Sequence, residues 1–149
     1  MRAWRDYVDQ APDELSTACV ILTAPPEPFV PDSPKGQAVI GIMGMYVDDP
    51  AEGARVMRPI RDLGPVVDLI QPMPYTVFQS MIDAAAPKGL RNYWRGEYLA
   101  SLPDGAIDAF VRHGSALAAA AMPLSQMVVF RIGQGVAAVA EDATGVFAP

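Results

Sequence analysis

Nine consecutive uncharged residues, Ala38-Val39-Ile40-Gly41-Ile42-Met43-Gly44-Met45-Tyr46, constrain the fold of this chain more than any other feature. They do not alternate polar with apolar side chains, so a strand here would be buried on both faces and belongs in the centre of a sheet. Gly41 and Gly44 would leave room for a close neighbour. A second β-rich apolar run follows Asp13-Glu14 and predicts a strand over residues 15 to 23. The proline-rich stretch from 25 to 34 links the two.

The remaining patterns alternate between helix and strand. Residues 3 to 11 predict a short helix. Asp49-Pro50-Ala51-Glu52 is a helix start, with Asp49 to cap, Pro50 at the first position and Glu52 to complete a capping box. The helix that follows aligns Val56, Ile60 and Leu63, and Pro59 removes one backbone donor, which predicts a kink or an irregular end. Val66 to Gln71 predicts a short strand, Tyr75 to Ala85 a helix with Val77, Met81 and Ile82 on one face, and Asn92 to Ala100 an aromatic-rich strand. Ser101, Pro103 and Asp104 open a longer helix with Ile107, Phe110, Val111, Leu117 and Ala121 at helical spacing. Gln126 to Ile132 and Val136 to Val139 flank Gly133-Gln134-Gly135, a hairpin signal.

This order implies a single α+β domain over 1–149, an antiparallel or mixed sheet covered by helices on one face. With 51% hydrophobic and 19% charged residues the chain can bury a core. A net charge of -6 without a basic cluster argues against nucleic acid and anionic membrane as partners. The charged N-terminus lacks an apolar leader and no apolar run reaches ~18 residues, so a cytoplasmic protein is expected.

Few constellations suggest chemistry. Cys19 lies in an apolar run as a small buried hydrophobe, and no internal disulfide can form. One His and one Cys far apart make zinc improbable, and His113 reads as a solvent-facing or helix-packing residue before a catalytic base. Asp48-Asp49 and Glu141-Asp142 are neighbours that point apart, better read as a cap and a turn. Arg55, Arg58 and Arg61 form a solvated stripe. Gly133-Gln134-Gly135 lacks the third glycine and the strand-to-helix setting of a dinucleotide loop.

Tyr93-Trp94-Arg95-Gly96-Glu97-Tyr98 is more informative. Alternation puts Tyr93, Arg95 and Glu97 on one face and Trp94 and Tyr98 on the other. A sheet edge or a solvent-facing surface accounts for the polar face as well as a pocket does, and the residues alone favour the surface.

The segments Trp4-Arg5-Asp6, Ala11 to Leu15, Thr23 to Phe29, Met73-Pro74-Tyr75 with Gln79, Tyr93 to Leu99, and Gly133 to Ala137 ending in Asp142-Ala143-Thr144 have a shared order and spacing. Over nearly the whole chain, this order resembles the substrate domain of the bacterial berberine-bridge-like, FAD-linked oxidases. The resemblance implies a sheet lying over a flavin ring, with FAD held mostly by a preceding domain whose attachment segment has no counterpart here. It also implies an aromatic-rich segment beyond the C-terminal residues given.

Carried over residue by residue, the resemblance makes Arg95 and Glu97 the charged strand positions near flavin, with Gln126, Val128 and Phe130 on one face of a neighbouring strand. These five are the substrate-site candidates. The sequence departs from the family at Phe130, where Glu or Tyr is frequent and where phenylalanine cannot abstract a proton. It departs again at Ala148-Pro149, where His-Arg is common, and the catalytic base stays unassigned. The expected function is the substrate-binding portion of an FAD-dependent oxidoreductase, inactive alone and not retaining FAD. Its expected partners are a flavin-binding polypeptide, a small organic substrate and, through the surface left bare, a second copy of itself. The alternative is a stand-alone α+β ligand-binding or dimerisation module without redox chemistry.

Overall fold

The computed structural model describes residues 1–83, 86–120, 124–132 and 143. In chain order the elements are α1 (Arg2–Val8), β1 (Leu15–Thr23), β2 (Ala38–Tyr46), α2 (Pro50–Arg61), α3 (Tyr75–Ser80), α4 (Asp104–Ala119) and β3 (Met127–Phe130). The fold is α+β, with an open antiparallel sheet of three strands in the order β2-β1-β3. β1 pairs with β2 along its whole length, from Leu15 opposite Tyr46 to Thr23 opposite Ala38. On its other side it pairs with β3, from Ala18 opposite Phe130 to Ile21 opposite Met127.

Cross-strand partners share a face, so this register sorts the side chains. Leu15, Thr17, Cys19 and Ile21 lie with Tyr46, Gly44, Ile42 and Ile40 on one side, joined by Val129 and Met127 of β3. The helices cover this side. Trp4 and Val8 of α1 bury Cys19, with Ile42, Leu102 and Val129 around them. Val56, Met57 and Ile60 of α2 pack with Ala11 and Leu15, flanked by Tyr7, Ile42 and Tyr46. In α4, Gly114 faces Ile21, and Ile107 is almost completely buried. The other side carries Ser16, Ala18, Val20 and Leu22, beside Met45, Met43, Gly41 and Val39 and, across β1, Phe130 and Val128.

Local chemistry explains the helix ends. The Asp49 carboxylate accepts the amides of Ala51 (2.9 Å) and Glu52 (3.0 Å), which have no partner inside the helix. Glu52 does not close a capping box; its carboxylate takes the Arg55 guanidinium instead, at 3.0 Å. Pro59 lies in the last turn, and α2 ends two residues later at Arg61. Asp104 opens α4 and binds Arg5 (2.6 Å) and Arg2 (3.2 Å), which clamps α1 to the start of α4.

Several expectations need correction. β2 is an edge strand among the described residues, with β1 its one partner, and its residues are half-buried or exposed. It lacks alternation because apolar side chains line both of its faces, not because it has two neighbours. Residues 66–71 and 92–100 contain no strand. Leu63 falls beyond α2 and is 46% exposed, and Val77, Met81 and Ile82 are all about half exposed, so the apolar face expected of α3 is not packed. The expected hairpin at Gly133 to Gly135, the strand Val136 to Val139, and Ala121, Glu141, Asp142, Thr144, Ala148 and Pro149 lie outside the described residues.

Candidate functional site

β3 places two of the five candidates. Val128 and Phe130 stand opposite Val20 and Ala18, on the sheet side away from α1, α2 and α4. Val128 is half-buried, while the Phe130 ring is 68% exposed. Gln126 is exposed and lies one residue before β3, outside the paired register. Val128 and Phe130, with Val39, Met43 and Met45, belong to a sheet face on which the paired residues carry no charge.

Arg95 and Glu97 are not brought to this surface by strand pairing, because their segment has no strand partner among the described residues. Both side chains are about three-quarters exposed, and they pair with each other at 3.3 Å. The expectation that they adjoin Phe130 on neighbouring strands therefore fails. Alternation in the sequence reported a strand-competent segment but carried no information about its partner. The neighbouring Tyr93 and Trp94 are 88% and 77% exposed.

Other candidates resolve into structural roles. Cys19 is fully buried, and burial pushes its thiol up, away from the reactive thiolate. His113 is on the exposed side of α4. Arg55, Arg58 and Arg61 are each paired with a carboxylate, Glu52, Asp62 and Asp68 respectively, as a solvated stripe would be. Among the described residues no three His, Cys, Asp or Glu side chains come together to hold a metal ion, and no helix is long and apolar enough to cross a membrane.

Sequence reasoning missed a polar group inside the core. Thr17 Oγ1, Trp4 Nε1 and Arg131 Nη1 are buried without a hydrogen-bond partner, and the Arg131 amide donates to the Thr17 carbonyl at 3.2 Å. No spacing in the sequence announces such atoms, since only register brings residue 131 beside residue 17. A cavity of about 310 Å³ opens at the end of β1, lined by Thr23, Ala24, Pro25, Pro26, Gly36 and Leu124. It includes none of the five candidates.

What this arrangement offers is an apolar sheet face with Phe130 exposed beside the buried Ala18 and Val20. No protein-family model matches the chain, and no curated protein is similar to it.

Proposed function

We propose that this chain is the substrate-side portion of an FAD-dependent oxidoreductase, inactive by itself, whose flavin is held by another stretch of polypeptide, joined to it or separate. The observation that carries the reading is the second face of the sheet. Its uncharged residues, half-buried Met43 and Val128 and exposed Phe130 beside the buried Val20, suit a flat ring system and the apolar body of a small organic substrate. Helices occupy the first face; on this one Ala18 and Val20 are buried and Phe130 is exposed, which leaves the Phe130 edge to meet another domain.

In the assembled enzyme, hydride would pass from a substrate C–H bond to the flavin, which oxygen would reoxidise, while this chain orients the substrate and excludes water. Phe130 cannot serve as a base, so any proton is taken elsewhere. The order of segments that resembles the FAD-linked oxidases supports the same reading.

The test is co-expression with the polypeptide encoded by the flanking DNA, followed by purification through a tag on this chain. A yellow complex containing both polypeptides supports the proposal. Recovery of this chain alone, with no flavin-binding sequence in its neighbourhood, contradicts it.

A further inference from the structure

We infer that α1 is a latch: it undocks from the sheet as a unit, under the control of ionic strength, while the sheet, α2 and α4 stay folded, and its release uncovers Cys19. The buried side chains fall into distinct clusters. In one, Trp4 and Val8 of α1 close over Cys19, which is fully buried. In another, Val56, Met57 and Ile60 of α2 pack with Ala11 and Leu15. Neither Trp4 nor Val8 belongs to the second cluster, so lifting α1 strips the first and leaves the second in place. The pairing of β1 with β2 and the approach of Gly114 to Ile21 do not involve α1 either.

Two kinds of contact hold α1 down, and each has a weakness. Seven residues make too short a helix to persist in water, so α1 depends on these contacts. On the polar side, Arg5 reaches the Asp104 carboxylate at 2.6 Å and the Leu102 carbonyl at 3.1 Å, while Arg2 reaches Asp104 at 3.2 Å and also binds Asp108. Arg2, Asp104 and Asp108 are about half exposed or more, so salt screens these pairs. One neutral hydrogen bond, from the Tyr7 hydroxyl to the Val56 carbonyl, joins α1 to α2. On the apolar side, Trp4 Nε1 is buried with no acceptor, and this donor regains water when α1 lifts.

An element with few buried contacts of its own and a screened polar anchor opens below the cost of global unfolding. What opening changes is the state of one thiol. Buried under Trp4 and Val8, Cys19 is inert, and in contact with water it regains ordinary thiol reactivity. The latch covers the sheet side opposite Phe130, so its test is separate from that of the proposed function.

Labelling of the native full chain with iodoacetamide, an uncharged reagent, tests the inference, because Cys19 is the one cysteine in the sequence. The labelling rate should rise about threefold or more between ~0.01 and ~0.5 M sodium chloride. Arg5→Gln should raise it about tenfold at low salt and remove most of the salt dependence, with unchanged circular dichroism. Asp108→Asn, at an exposed position away from the core, should raise it about threefold and serves if Arg5→Gln does not fold. Gly114→Ala loosens α4 on β1 and so lowers global stability, yet it should leave the rate within about twofold. A rate indifferent to salt and to both charge substitutions would overturn the inference. So would a rate that rises with Gly114→Ala and climbs in urea as steeply as the unfolding transition, because Cys19 would then be reached only through global unfolding.

Discussion

Met57 lies so close over Gly44 that a Cβ at Gly44 would stand 2.9 Å from its terminal methyl and 3.1 Å from its sulfur. This contact is how α2 settles onto β2. Gly114 makes the equivalent approach of α4 to β1, where a Cβ would stand 2.8 to 2.9 Å from Cδ1, Cβ and Cγ2 of Ile21.

The two glycines should differ in tolerance. At Gly44 the obstacle is the end of an unbranched side chain that can rotate away, so Gly44→Ala should cost under ~1 kcal/mol. At Gly114 the obstacle includes the Cβ of a branched residue fixed to a central strand. Gly114→Ala should therefore cost ~1–3 kcal/mol, even though alanine favours the helix by ~1 kcal/mol. Urea unfolding of the two variants measures the difference, and equal midpoints would contradict this view of the packing.

Tyr7 and Asp49 fix α2 at its middle and its start. The Tyr7 hydroxyl donates to the Val56 carbonyl across the α1–α2 contact, and burial pushes that hydroxyl up, keeping it protonated. Tyr7→Phe should cost ~0.5–1.5 kcal/mol through the lost hydrogen bond. Asp49→Ala should cost ~1 kcal/mol through the lost cap. The same unfolding measurement reads both.

Acid should weaken the clamp between α1 and α4. Hydrogen bonds from Arg5 and then Arg2 hold the Asp104 carboxyl below the usual range, and Arg55 does the same for Glu52. A lowered folded-state value means that the unfolded chain binds protons first as pH falls. The stability from these pairs is present above the ordinary carboxylate range, ~4, and is lost as pH drops through the lowered values. Asp104→Asn should lower the melting temperature near neutrality, narrow its fall between neutral and acidic pH, and lose salt sensitivity. An unchanged acid decline in the variant would remove Asp104 from this account.

β1 and β2 were legible in the sequence with their observed bounds, because apolar nine-residue runs bounded by turn residues have few other solutions. The cap at Asp49 was legible for the same local reason. The position of β2 in the sheet was not, since an apolar strand reads the same whether it has one neighbour or two. Arg95 and Glu97 show the same limit: alternation assigned their faces, but pairing is a long-range property that neither residue encodes alone. Val128 and Phe130 fell on the expected common face because two residues apart on one strand suffices.

The chain alone should not hold flavin. It supplies one apolar side of the proposed ring site and no recognisable pyrophosphate-binding loop. After incubation with FAD and extensive dialysis it should be colourless. Retained flavin absorbance would mean that the site is complete within these residues.

The central claim, that the Phe130 face meets a flavin-holding polypeptide, is tested most directly by co-purifying that polypeptide with wild-type chain and with Phe130→Asp. Phe130 is 68% exposed, so the substitution should leave the fold intact while placing an unpaired charge in a desolvated contact. The account predicts a yellow wild-type complex and, for Phe130→Asp, at least about a tenfold loss of bound flavin polypeptide. Equal recovery of the yellow complex with both chains would contradict it.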